Sequence, residues 1–373
     1  MRQNILKRII ALGLVLISST TIGFGQTPDW AFGPFKRPQD VNPIITPKAS
    51  STFYCPMRDT VVHWEAMSTF NPAAVVRDGK MYVLYRAEDK LGKMEIGGHT
   101  SRIGMATADD GLHFHRRKTP VLYPKNDDQK KYDWPGGCED PRIVEAKDGR
   151  YVMTYTEWNH DTPRLAIATS ENLKDWIKHG PAFEQAYSGK YNTMDTKSGA
   201  ILTRREGNHL VATKLDGKYW MYWGVPKIHL ATSEDLINWK PVENGNGKLK
   251  NVLTPRKGHF DSWLVEAGPP ALITKNGILV IYNAGNSGKV GDPNIPDSVY
   301  TGGQALFDAK HPDRLLKRLD KPFIQPEKGY EKSGQYKNGT TFLEGLAHFR
   351  ERWFIYYGTA DTRVGVVNWS PTN

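Results

Sequence analysis

Four stretches of the chain gather polar side chains between glycines and prolines. They are Phe70-Asn-Pro-Ala-Ala74, Gly136-Gly-Cys-Glu-Asp-Pro-Arg-Ile143, His259-Phe-Asp-Ser-Trp-Leu-Val-Glu-Ala-Gly-Pro-Pro270 and Tyr356-Tyr-Gly-Thr-Ala-Asp-Thr-Arg363. Carboxylates from separate segments facing one another across a pocket form the layout of glycosidic bond cleavage, where one group protonates the leaving oxygen and the other engages the opposite face of the sugar. Aromatic residues beside them offer surfaces on which sugar rings stack. Each residue also has a plainer reading. Asp140 before Pro141 suits a turn, and Arg142 could hold Asp140 or Glu139 in place as well as touch a substrate. Glu266 could pair with a nearby cation. Arg86 and Asp89 could form a surface ion pair at a strand end, and Asp361 a buried pair with Arg363. A lone His259 beside Phe260 suits a structural role.

The elements that must position these residues show themselves as a repeat. Asp78-Gly-Lys-Met-Tyr-Val-Leu-Tyr85, Asp148-Gly-Arg-Tyr-Val-Met-Thr-Tyr155 and Asp216-Gly-Lys-Tyr-Trp-Met-Tyr-Trp223 each start at an Asp-Gly turn and continue as an alternating aromatic-rich strand. A second strand follows, ending near Phe114, Trp176 or Trp239. Weaker copies begin at Asn276 and Glu351, so that starts lie roughly 60 to 75 residues apart. That period accommodates a four-stranded blade with its loops. The pattern predicts an all-β fold, a single five-bladed β-propeller with few helices. Three of the four polar stretches stand at the entry to a blade, where the first strand lines the central channel, so their side chains should converge there. The Ala-Thr-Ser-Glu copies at Ala168 and Ala231 read as repeat scaffolding. The Gly/Pro/Asn/Asp-rich run from Gly285 to Pro296 reads as a mobile surface loop.

Composition narrows the class. A hydrophobic share of 39%, with 11 Trp and 17 Tyr in 373 residues, suits an aromatic-rich β-protein and argues against disorder. Residues 1–25 carry a basic start (Arg2, Lys7, Arg8), a short apolar core (Ile9–Ile17) and a small uncharged end, the pattern of a secretory signal peptide. The expected mature protein is exported to the periplasm or outside the cell, with no membrane insertion. A Pro-rich leader within 26–69 should form an extended arm on the propeller of 70–373. The formal charge of +10 includes those three early basic residues, and the remainder is scattered without a Lys/Arg cluster, which disfavours nucleic acid as a partner. No Cys/His spacing suggests a metal, and no cofactor is expected. Cys55 and Cys138 could pair in an oxidising compartment, but spacing alone does not decide it.

Gly137-Cys-Glu-Asp-Pro-Arg142, Asn71-Pro-Ala73, Ala267-Gly-Pro-Pro270 and Ala360-Asp-Thr-Arg-Val364 together resemble glycoside hydrolase family 130, in the family's order and over nearly the whole chain after the signal segment. The resemblance implies a five-bladed propeller acting on β-mannosides, with an oligosaccharide as the partner. Asp140 matches the general acid, which reaches the glycosidic oxygen through a hydroxyl of the −1 mannose. Asn71, Arg86 and Asp361 match positions that hold that mannose. Arg142, Asp261 and Arg363 complete the candidate substrate-binding set. Phosphorylases of the family have a phosphate-binding Lys and His where this chain has Leu264 and Asn283. Glu266 stands there instead, where it would repel phosphate and could deprotonate water. This is the pattern of the hydrolytic branch, an inverting β-1,2-mannosidase. One departure is that this branch has a further glutamate after Tyr-Trp-Gly, whereas Tyr222-Trp-Gly-Val-Pro-Lys227 offers no carboxylate. Two alternatives stay open: a phosphorylase with a rebuilt phosphate site, using Arg256 or Lys257 near Glu266, and a mannoside-binding propeller without catalysis.

Overall fold

Residues 27–93 and 97–371 are described by a computed structural model; the expected signal segment lies outside them. A short hairpin, β1 (Phe53–Cys55) and β2 (Thr60–Val62), precedes the main sheets. An antiparallel meander follows, of β3 (Ser68–Arg77), β4 (Lys80–Gly92), β5 (His99–Ala108) and β6 (His115–Arg116). After α1 (Lys130–Asp133), a second meander contains β7 (Gly137–Glu145), β8 (Tyr151–Trp158), β9 (Arg164–Ser170) and β10 (Ile177–Pro181). In the next region β11 (Gly199–Glu206) pairs with β12 (His209–Ala212) at one end and, beyond β13 (Lys214–Leu215), with β14 (Lys218–Trp223) at the other. There β14 pairs with β15 (Ile228–Ser233), which carries β16 (Trp239–Pro241) and β17 (Asn251–Leu253). Then β18 (Leu264–Ala267) and β19 (Ala271–Thr274) both pair with β20 (Gly277–Gly285), followed by β21 (Tyr300–Phe307) and β22 (Leu315–Arg318). The last sheet is β23 (Thr341–Phe349), β24 (Arg352–Thr359) and β25 (Arg363–Trp369). The chain is thus nearly all β, with helix among the described residues confined to α1 and two short 3-10 turns.

Local chemistry explains the meanders. Asp78-Gly79 and Asp216-Gly217 all take positive φ, the two-residue hairpin turn whose twist matches that of its strands. The Ala-Thr-Ser-Glu copies do act as scaffold. Ser170 and Ser233 accept the amide hydrogens of Leu173 and Leu236 at 2.9 Å, and Trp176 and Trp239 donate back to those leucine carbonyls. The apolar core lies in the gaps between neighbouring sheets. Ala73, Val75 and Leu84 meet Ile143 and Met153; Val152 and Ile167 meet Ile201 and Met221; Tyr222 and Leu230 meet Val265 and Val280. Leu279 and Leu306 meet Leu343 and Ile355, and Phe354 and Val364 meet Val83 and Tyr85 of the first meander. The last sheet therefore packs on the first, so no sheet needs to bury a face alone.

The segment after residue 27 runs beside β25 through bridges at Lys36–Asn368 and Ile45–Val364. Arg37 pins it by pairing with the buried Glu331 at 2.8 Å. Cys55 and Cys138 are both free, buried thiols. The loop from Gly285 to Pro296 is more tightly tied than its composition suggests, because the buried Asn286 amide donates to Ile295 O at 2.6 Å and to Asp292 O at 3.1 Å. No helix among the described residues is long and apolar enough to cross a membrane.

Candidate active site

Bulges aim the side chains. In β3 the register shifts between Phe70 and Pro72, and Asn71 there takes φ 46°. In β7 it shifts between Glu139 and Arg142, and Asp140 takes φ 50°. Asn and Asp tolerate this left-handed conformation better than other non-glycine residues, and a bulge re-aims a side chain that regular alternation would send to the sheet face. Glu344 occupies a third bulge, in β23. Ala360 and Asp361, both at positive φ, form the turn between β24 and β25.

These features open on one cavity of about 160 Å³, lined in part by Asn71, Arg86, Asp140, Lys197, Glu266 and Asp361. The Asn71 amide donates to Asp140 Oδ1 at 2.9 Å, and Arg86 Nη1 reaches the same oxygen at 3.2 Å. Arg86 Nη2 also lies 2.7 Å from both Glu88 and Glu139. On the other side, Lys197 Nζ stands 3.7 Å from Asp140 Oδ2 and 3.7 Å from Glu266 Oε1. Those two oxygens are therefore no more than twice that distance apart, about 7.4 Å. Ser198 Oγ donates a hydrogen bond to Glu266 Oε1.

The charges do not balance. Glu88, Glu139, Asp140, Glu266, Glu344 and Asp361 face three cations, Arg86, Arg142 and Lys197. Burial pushes the Asp140 carboxyl up, but Arg86, Lys197 and the Asn71 amide outweigh it and hold it down at about 2. Glu139, its neighbour in sequence, goes the other way: burial, together with the charges of Asp140 and Glu88, lifts it to about 7 despite Arg86. Burial likewise raises Asp361 to about 7, against the pull of Arg86. Glu344 is driven well above the usual carboxylate range by burial, although Arg142 Nη2 lies 3.0 Å away. Burial works against the Lys197 ammonium, but Glu266 and Asp140 more than restore it and keep it charged. The cavity thus pairs an ionised Asp140 with groups that still hold protons near neutrality.

Five residues singled out from sequence converge here: Asn71, Arg86, Asp140, Glu266 and Asp361. Arg86 is no surface residue, and Asp89 pairs instead with the buried Arg102 at 2.9 Å. Arg142 stands behind the cavity. It donates to the carbonyls of Gly268 (2.8 Å), Ala267 (2.9 Å) and Asp140 (3.1 Å), a clamp between the Asp140 bulge and the strand of Glu266. Asp261, expected to bind substrate, does not join the group: its carboxylate is buried against Arg256 at 3.0 Å, Arg318 at 2.6 Å and the Tyr282 hydroxyl at 2.9 Å. Arg363 also stays apart from the cavity lining, donating to Ser333 O at 2.6 Å. His259 lies near Asp320, on the exposed side of that cluster. Sequence reasoning missed Lys197 and Ser198, which enter β11 in a Lys-Ser-Gly stretch without proline. It missed Glu344 too, inside the apolar run of β23.

The two positions at which the resemblance implies phosphate ligands hold buried side chains. Leu264 is buried, and Asn283 exchanges hydrogen bonds with the Leu343 backbone at 2.7 and 3.1 Å, tying β20 to β23. After Trp223, the Pro226 carbonyl accepts from Val265 N, and the stretch to Lys227 supplies no acid.

Comparison with known proteins agrees with this arrangement of sheets. The family model of glycoside hydrolase family 130, described as β-1,4-mannooligosaccharide phosphorylase, matches residues 36–372, and the chain belongs to that family. A 1,2-β-oligomannan phosphorylase from Thermoanaerobacter sp. (strain X514) is 31% identical over 335 residues, 89% of this chain and 95% of that protein. A glycosyl hydrolase from Bacteroides ovatus superimposes with a TM-score of 0.91 at 53% identity, covering 93% of this chain and 96% of the other. A further structure has a TM-score of 0.92 at 55% identity, covering 93% and 97%. It was presented with the finding that the family of mannoside phosphorylases contains glycoside hydrolases that target β-1,2 mannosidic linkages in Candida mannan.

Proposed function

We propose that this protein is an exported, inverting glycosidase that hydrolyses β-mannosides, β-1,2-linked ones above all, and releases mannose. On this reading the sheets are the blades of a five-bladed propeller, the segment from 26 to 69 is an arm laid across it, and residues 1–25 direct export. The observation that carries hydrolysis is Glu266 in the cavity, held by Ser198 and Lys197 across from Asp140. A phosphate dianion entering there would meet the side chains of Glu266 and Asp140 on either side of Lys197. The one cation beside Glu266 among the cavity-lining residues is already shared with Asp140. A neutral water meets no such penalty, and Glu266 can take its proton as it attacks the anomeric carbon. Asn71, Arg86 and Asp361 hold the −1 mannose. Asp140 is ionised in the free protein, so it must first take up a proton, for which Glu139 and Asp361, still protonated near pH 7, are the sources, and it then delivers that proton toward the glycosidic oxygen through a sugar hydroxyl. The separation of at most about 7.4 Å overlaps the lower end of the roughly 6.5–9.5 Å that an inverting pair uses to admit water.

Lys197 is the specific feature that favours phosphorolysis as a second reading. Against it, Arg256 is committed to Asp261 and Asp320 and is not available as an added phosphate ligand. Proton NMR of a β-1,2-mannobiose digest tests the reading. Inversion gives α-mannose as the first-formed product, and Glu266→Gln lowers kcat by about 10²–10⁴-fold, the usual contribution of a general base. First-formed β-mannose, or an unimpaired Glu266→Gln, contradicts it.

A further inference from the structure

The cavity is small for the substrate it is proposed to take. At about 160 Å³ it falls well below the roughly 300–1,000 Å³ of pockets that enclose a whole drug-sized ligand. A sugar chain entering it must leave much of its length outside, across the rim.

One stretch of that rim is aromatic. Tyr300, Tyr336 and Phe342 line the cavity, with ring centres 5.3 Å apart for Tyr300 and Tyr336 and 6.0 Å for Tyr300 and Phe342. Tyr300 and Trp263 make a T-shaped contact with ring centres 5.8 Å apart. Trp263 does not line the cavity, and at 46% exposure it is the one exposed tryptophan among the described residues. The ring is also held in place. A Cβ on Gly285 would lie 2.6 Å from its Cε3, so one part of the indole rests on backbone that only glycine can provide. Its own amide donates to Gly285 O at 2.9 Å. The neighbouring Ser262 hydroxyl accepts from Ser287 N at 2.9 Å, tying this turn to the loop that Asn286 organises. A large apolar surface immobilised next to a polar cavity and left to solvent costs hydrophobic free energy unless something covers it.

The geometry points to Trp263 as the platform of an outer sugar subsite. It stacks on a ring of the β-mannoside beyond the two that flank the scissile bond and selects chains longer than the disaccharide. This inference rests on the mannoside reading above and adds chain length to it. Aromatic side chains suit the task because they bring a large rigid face with few torsions to freeze.

The test compares wild type, Trp263→Ala and Trp263→Phe on β-1,2-mannobiose and β-1,2-mannotetraose. The expected result is a loss that grows with length. Trp263→Ala lowers kcat/KM on the tetraose about tenfold, mainly through KM, and on the biose by less than about threefold, while Trp263→Phe recovers most of the loss. An equal change on both substrates, or none on either, overturns the proposal. Titration calorimetry of the tetraose with wild type and Trp263→Ala separates this from failure of the hydrolase reading. Weaker binding by the variant supports the platform even without turnover. Equal binding, or no tetraose binding by wild type, overturns it.

Discussion

In the cavity one carboxylate is held ionised while its neighbours keep their protons. Asp140 takes the Asn71 amide, Arg86 and Lys197, whereas Glu139 and Asp361 are buried with less compensation and stay near pH 7. Groups pushed apart in this way divide acid and base work. Replacing Asp140 by Asn removes the proton route and one of the three carboxylates that hold Arg86, so kcat should fall by about 10²–10⁴-fold. Measured turnover on mannobiose with retained binding checks this. A pH prediction follows from Glu139: raising pH through about 7 removes its proton and adds charge beside Asp140. The kcat/KM profile of wild type should therefore decline above about pH 7, and Glu139→Gln, which cannot ionise, should flatten that limb. An unchanged profile would show that Glu139 is silent. At this scale the sequence was partly legible. Asn71-Pro72 and Asp140-Pro141 announce themselves because a polar residue before proline breaks the alternating strand pattern. Lys197 carries no such mark, and Asp261 misled because its polar setting says nothing about the side to which its carboxylate turns.

Strands and their bulges convert a repeat into a site. Most of the fold could be read from the alternating runs and Asp-Gly turns, which the ladders at Arg77–Lys80 and Leu215–Lys218 bear out. The bulges could not be read, since an extra residue in a ladder changes register without changing composition. Arg142 then fixes what the bulge creates, joining the Asp140 carbonyl to those of Ala267 and Gly268. Lysine cannot reproduce that fork. Arg142→Lys should therefore lower kcat about 10²-fold with KM little changed, the penalty for a misplacement of about 1 Å between reacting groups. Steady-state kinetics beside a thermal melt check it; a raised KM with normal kcat would mean that Arg142 touches substrate after all.

Across the whole molecule, sheets share their cores in the gaps, and the last sheet packs on the first, so stability and site electrostatics belong to one body. Five buried acids hold protons longer in the folded state than in the unfolded chain: Asp133 to about 6, Glu139 and Asp361 to about 7, Glu157 to about 8, and Glu344 well above the usual carboxylate range. From about pH 4 upward the folded state binds more protons than the unfolded one, so these groups lose stability as pH rises to 8. Burial lowers His179, His229 and His348, which cost stability once pH falls below about 6.5. The melting temperature should therefore be lower at pH 8 than at pH 6, and a steady rise to pH 8 would contradict the assignment. The claim on which the account turns is that a carboxylate-rich cavity takes water and refuses phosphate. Purified protein should be incubated with β-1,2-mannobiose, with and without inorganic phosphate, and the products identified. The account predicts free mannose at the same rate in both, and mannose 1-phosphate appearing only when phosphate is supplied would contradict it.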